Sequence, residues 1–64
     1  MNSEDLSNVI DDCESNIYYN SSKLREHVFF ADDYNEESLK EILQRATLIR
    51  MYADIIIKEV SCKL

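Results

Sequence analysis

The chain has 64 residues without glycine, proline or tryptophan, and its thirteen acidic side chains against seven basic ones give a net charge of -6. A chain this short rarely builds a core worth more than about 3–5 kcal/mol, so we expect it to associate with a partner or with a second copy. The acidic balance argues against binding to a phosphate backbone, which requires clustered lysine and arginine, so no nucleic-acid partner is expected.

The sequence contains no apolar run near the roughly 18 residues that a membrane span requires, and its acidic N-terminal segment does not have the basic-then-apolar pattern of a signal peptide. We therefore expect a cytoplasmic protein with no membrane contact. The absence of glycine and proline removes the usual signals for tight turns and hairpin strands and leaves long helices uninterrupted. The fold class predicted from composition is all-α.

The first predicted helix covers about residues 3–31. Asn2 or Ser3 can cap its free amides, and the acidic residues that follow suit the positive end of the helix dipole. Its apolar face, with three- and four-residue spacing, consists of Leu6, Val9, Ile10, Cys13, Ile17, Leu24, Val28 and Ala31. Asn20 interrupts this face within a run of weak helix formers, where a break is possible, although we favour one continuous helix.

A turn at about residues 32–35 leads to a second predicted helix at about 36–62. Asn35 is a strong N-cap candidate because two glutamates fill the next turn, and Asp33 with Glu36 offers an alternative capping frame. The nearly equal helix lengths and the short connection predict a single domain, an antiparallel two-helix hairpin.

The second helix carries a heptad-like seam that we expect to face the first helix. Its residues are Leu39, Ile42, Ala46, Ile49, Ala53, Ile56 and Val60. Pairing the two faces by position sets Cys13 beside Ala53 and Asn20 beside Ala46, where Asn20 is either a core spacer or a functional polar layer. The two thiols, Cys13 and Cys62, fall too far apart for a disulfide in this arrangement.

Both helices also carry large apolar side chains away from these faces. On the second helix they are Leu48, Met51, Tyr52 and Ile55, and on the first they are Tyr18, Tyr19, Phe29 and Phe30. One internal interface cannot cover all eight, and aromatic residues and methionine are enriched in interaction surfaces. The sequence therefore predicts that these residues bind a protein partner.

Catalytic and metal-binding patterns are weak. His27 is the only histidine, and the adjacent acidic pairs point in different directions around a helix. The acidic run at residues 32–37 does not have the central glycine and alternating ligands of a calcium loop. We predict no enzyme activity, no metal site and no cofactor.

The second helix resembles that of the small YscE-type proteins of bacterial type III secretion. The matching positions are Gln44, Arg45, Ala53, Ile56, Ile57, Val60 and Leu64. The resemblance covers about residues 44–64, whereas residues 1–43 share only the architecture. It implies a bacterial co-chaperone that pairs with a tetratricopeptide-like chaperone and keeps the secretion needle subunit soluble before export. The turn departs from that family because it contains no glycine.

The predicted function is thus a non-enzymatic protein-binding module, with the needle co-chaperone as its leading form. One alternative is a homodimeric four-helix-bundle regulator like the plasmid protein Rop, although the acidic charge opposes an RNA-binding face. Another is a phage- or plasmid-encoded inhibitor that mimics an acidic surface.

Overall fold

The protein is an antiparallel hairpin of two helices, which confirms the predicted all-α class. The structure, a computed structural model, describes residues 3–30 and 34–64, excluding the side chains at positions 3, 4, 29 and 30. Helix α1 spans Ser3–Phe30 and helix α2 spans Glu36–Ser61. Together they form a rod of 47 × 14 × 13 Å. Residues 31–33, which include half of the turn predicted at about 32–35 and the alternative cap Asp33, lie outside the described residues.

Helix α1 passes through the Asn20 region without a break. The asparagine side chains there bond back into the helix rather than competing with it: Nδ2 of Asn16 donates to the carbonyl oxygen of Asp12 at 2.9 Å. In the same way Nδ2 of Asn20 donates to the carbonyl oxygen of Asn16 at 2.8 Å. Each side chain thus bonds to the carbonyl oxygen one turn earlier in the same helix. This bonding is compatible with helical backbone, so the weak helix formers lie in one continuous helix.

Helix α2 begins at the cap that the sequence favoured. Asn35 has extended backbone angles (φ -76°, ψ 176°), and its side-chain oxygen accepts a hydrogen bond from the amide of Ser38 at 2.8 Å. This bond satisfies one of the amides that a helix start leaves without an intrahelical partner. Glu36 and Glu37 fill the first turn and Lys58 lies in the last, each suited to the helix dipole.

The contact face of α1 centres on Cys13 and Asn20, which are 5% and 3% exposed. They are seven positions apart, so they lie almost on one line along the helix. Partly covered residues flank this line: Leu6, Val9, Ile10, Asn16, Ile17, Lys23, Leu24 and His27. The predicted face is therefore largely present, except that Val28 is exposed and Ala31 lies outside the described residues.

The contact face of α2 differs from the predicted seam. Leu39 and Ala46 are exposed, whereas the partly covered residues include Ile42, Arg45, Leu48, Ile49, Tyr52, Ala53, Ile56 and Val60. At about 100° per residue, α2 is turned by about 60° from the predicted orientation. Arg45, Leu48 and Tyr52 consequently face α1 more directly than expected.

Asn20 gives the physical reason for this rotation. A buried carboxamide must find hydrogen-bond partners, and an alanine at position 46 offers no side-chain donor. In the structure Nη1 of Arg45 donates to Oδ1 of Asn20 at 2.9 Å, across the helix interface. The predicted layer of Asn20 and Ala46 is therefore replaced by one of Asn20 and Arg45.

Candidate protein-binding surface

A polar cluster at the middle of the hairpin fixes how the two helices face each other. Besides its bond to Asn20, Arg45 donates from Nε to Oε1 of Glu41 at 3.1 Å. The same carboxylate oxygen lies 4.0 Å from Nε2 of His27 on α1. Arg45 and Glu41 are each about two-thirds or more covered, so these interactions are screened less than those of a fully exposed pair.

Tyr19 lies beside this cluster, between two cations. Its ring centroid is 5.6 Å from Cζ of Arg45 on α2 and 5.5 Å from Nζ of Lys23 on α1. Both distances are within the range of cation–π attraction. The ring therefore contacts α2 through Arg45, and Tyr19 is still 53% exposed.

Tyr18 occupies a different part of the surface. Neighbouring residues on a helix are about 100° apart, so Tyr18 and Tyr19 cannot share one face. Tyr18 is 70% exposed. Of the two tyrosines predicted to bind a partner, Tyr19 borders the interface between the helices and Tyr18 does not.

The apolar line predicted on α2 is divided by the rotation of the helix. Leu48 and Tyr52 are partly covered at the edge of the contact with α1. Met51 and Ile55 remain exposed beside them. The exposure of the four residues thus increases from the helix interface outward, and they do not form a separate face opposite the seam. We call this set, Leu48, Met51, Tyr52 and Ile55, the α2 line.

The predicted contributions of Phe29 and Phe30 cannot be placed on this surface. Both residues belong to α1, and their side chains lie outside the described part of the chain.

Further apolar residues are exposed on the other side of α2, near the turn and beyond the end of α2, and none of them was predicted to bind a partner. They are Val28, Tyr34, Leu39, Leu43, Ile57 and Leu64. Leu39 and Leu43 are four residues apart, a spacing that places them on one side of the helix. The sequence shows this spacing, but the heptad pattern predicts Leu39 in the seam instead.

The hairpin as a whole exposes an unusually large surface for its mass. Its accessible area is 5127 Å², whereas a compact monomer of 7.5 kDa exposes about 4,200 Å². No residue of α2 is buried, although all of that helix is described. Two helices cover each other along one stripe only, so most of their apolar residues remain at least partly accessible to a partner.

Shallow depressions on the rod include two that are lined by described residues. One follows the N-terminal half of α1 and is lined by Leu6, Ser7, Ile10, Asp11 and Glu14. The other lies at the start of α2 and is lined by His27, Asn35, Glu37, Ser38 and Glu41. Among the described residues, no group of three or more histidine, cysteine or acidic side chains is arranged to hold a metal ion.

Neither helix, over its described residues, is long and apolar enough to cross a membrane. Comparisons with protein-family models, with the curated proteins and with the solved structures found no match for this chain.

Proposed function

We propose that this chain is a non-enzymatic protein-binding module that stacks its hairpin against a helical partner. The observation that carries the proposal is the incomplete core of α2. This amphipathic helix has 26 residues and is on the order of 40 Å long, and it carries eleven large apolar side chains, yet none of its residues is buried.

The excess of exposed surface supports the same proposal. The chain exposes roughly 900 Å² more than a compact monomer of its mass. A standard protein–protein interface buries about 800 Å² on each partner, so one such interface would bring the chain to an ordinary exposed area. The free energy of binding would come from burying apolar surface rather than from chemistry.

The partner that we propose is a tetratricopeptide-like chaperone of a type III secretion needle subunit, in the bacterial cytoplasm. The resemblance of residues 44–64 to the YscE-type proteins supports this choice. Stacked helix pairs form the concave surface of tetratricopeptide repeats, and a two-helix rod can add to such a stack. In this role the hairpin masks apolar surface and prevents premature assembly of the subunit.

Co-expression tests the proposal directly. The chain should co-purify, at fixed stoichiometry, with a tetratricopeptide-like chaperone and a needle subunit from the same genome, and the chaperone alone should be less soluble. A chain that remains a stable monomer and forms no complex with these proteins would refute the co-chaperone role. A chain that self-associates into a tight dimer instead would favour the four-helix-bundle alternative.

A further inference from the structure

Two helices packed along one stripe leave a groove on each side of their contact, and helix geometry places one of these grooves on the side of Tyr19. At about 100° per residue, Asp12, Asn16 and Tyr19 share one flank of α1 beside its buried line. Leu48 and Ile55 share the corresponding flank of α2 beside Arg45. The cation–π contact between Arg45 and Tyr19 joins these two flanks in the structure. We call the channel between them the Tyr19 groove.

The floor and walls of the Tyr19 groove are partly apolar. Leu48 and Tyr52 are partly covered, and Ile55 has 37% of its surface exposed. Helical spacing therefore places Leu48 and Tyr52 toward the floor of the groove and Ile55 on its α2 wall. Met51 stands further out on the same wall. A groove between two antiparallel helices accepts a third helix, whose side chains pack between theirs at an axial separation of about 8–10 Å.

Some of the described charged side chains along this groove form salt bridges and others do not. On its basic side, Arg45 pairs with Glu41 at 3.1 Å and Lys23 pairs with Glu26 at 3.6 Å. Within the described residues, the salt bridges include neither the exposed Asp12 on α1 nor Glu59, one turn beyond Ile55. Among the described residues, the half of the groove near Ile55 therefore combines apolar side chains with two carboxylates, Asp12 and Glu59, that lie outside these four salt bridges.

We propose that the Tyr19 groove binds one amphipathic helix of a partner protein, with an apolar stripe seated on the α2 line and with lysine or arginine beside that stripe. This inference rests on the proposed binding function and adds the chemistry of the partner helix. A second copy of the chain is the poorer occupant, because it would bring another net charge of -6 to the acidic half of the groove.

Two synthetic helices serve as probes. Each has three heptads with leucine at the a and d positions, and the flanking e and g positions are all lysine in one peptide and all glutamate in the other. Binding to the intact chain is measured by fluorescence anisotropy at physiological and at high salt. The lysine peptide should bind at least about tenfold more tightly than the glutamate peptide, with a difference that shrinks as salt screens the charges.

Two isoleucines supply a matched pair that locates the site. Ile55 lies on the groove, whereas Ile57, with 61% of its surface exposed, lies on the other side of α2. Ile55→Asn should weaken binding of the lysine peptide about tenfold, since it removes an apolar contact, and Ile57→Asn should change it by less than about twofold. Both variants keep the net charge, and circular dichroism confirms that they remain helical.

Two aspartates test the electrostatic part in the same way. Asp11 and Asp12 are both exposed, but only Asp12 borders the groove, because the two differ by about 100° around α1. Asp12→Lys and Asp11→Lys change the net charge equally. The first should weaken binding of the lysine peptide about tenfold and the second by less than about threefold.

Each remaining outcome contradicts a stated part of the inference. Equal binding of both peptides would overturn the basic partner while leaving the binding module intact. Equal losses for Ile55→Asn and Ile57→Asn would overturn the groove as the site. Failure of both peptides to bind would overturn the groove proposal, and the co-expression experiment decides the proposed function independently. A dimer of the chain that Ile55→Asn dissociates would assign the groove to a second copy.

Discussion

Oδ1 of Asn20 accepts a hydrogen bond from Nη1 of Arg45 at 2.9 Å, which links two residues that are 25 positions apart and on opposite helices. Asn20 is almost fully buried and Nδ2 of the same side chain donates within α1, so both ends of the carboxamide are satisfied. Among the described residues, no buried side-chain nitrogen or oxygen is without a partner. The interface therefore includes a complete polar layer among apolar ones.

Removing Arg45 should destabilise the hairpin by more than the average surface substitution. In Arg45→Ala the buried Oδ1 of Asn20 loses its donor, and an unsatisfied buried polar group costs about 1–3 kcal/mol. Urea denaturation followed by circular dichroism measures the loss. Arg50→Ala is the control, because Arg50 is exposed and its replacement should change stability by less than about 0.5 kcal/mol.

The same layer predicts non-additive behaviour. The double variant Asn20→Leu with Arg45→Leu should recover much of the stability that Arg45→Ala loses, because it replaces both polar partners with apolar groups. A double variant as unstable as the single one would mean that the layer stabilises the fold through some other contact.

The N-cap of α2 gives a second local test. Asn35→Ala removes the acceptor for the Ser38 amide and should cost about 1 kcal/mol of unfolding free energy. Asn35→Asp preserves an acceptor and should retain most of the stability. Thermal or urea unfolding compares the two variants, and equal destabilisation by both would contradict the capping role.

The two thiols should differ in reactivity. Both cysteines are free, with Cys13 buried in the helix interface and Cys62 exposed after the end of α2. A maleimide reagent should modify Cys62 rapidly and Cys13 only as the hairpin opens, with both modified equally fast in strong denaturant. Mass spectrometry over time measures the two rates, and rapid labelling of Cys13 in the native chain would contradict its burial.

Ile49 and Met51 separate folding from binding on α2. Ile49 is partly covered on the contact face, whereas Met51 is exposed on the outer part of the α2 line. Ile49→Asp should strongly destabilise the hairpin because it places a charge at the helix interface, and Met51→Asp should leave helicity nearly unchanged. Circular dichroism during urea titration compares them, and similar midpoints would contradict this assignment of faces.

The environment of Leu48 differs from the one predicted from the sequence. Its spacing from Ile55 places both on one line of α2, and the sequence assigned the whole line to a partner. The structure places Leu48 partly against α1. The helices and the Asn35 cap were predictable because they depend on residues within a few positions of one another, as the capping bond between Asn35 and Ser38 illustrates.

The rotation of α2 depends instead on contacts between distant residues. Periodicity alone ranked Ala46 above Arg45 as a neighbour of Asn20, since alanine is apolar and arginine is usually exposed. The hydrogen-bond requirement of a buried carboxamide reverses that ranking, and no local pattern reveals it. The cluster of Arg45, Glu41 and His27 was missed for the same reason, although the four-residue spacing of Glu41 and Arg45 already favoured an ion pair.

A hairpin with so shallow a core has many competing alignments that bury similar apolar area. Sliding one helix by a heptad preserves the apolar pattern but moves Asn20 and Arg45 apart by about 10 Å, at 1.5 Å per residue. The displaced carboxamide and guanidinium would then each lose water without gaining the hydrogen bond that joins them in the native alignment. The polar layer accordingly widens the energy gap between the native alignment and its slipped competitors, so that a rod with little total stability can still present one defined surface.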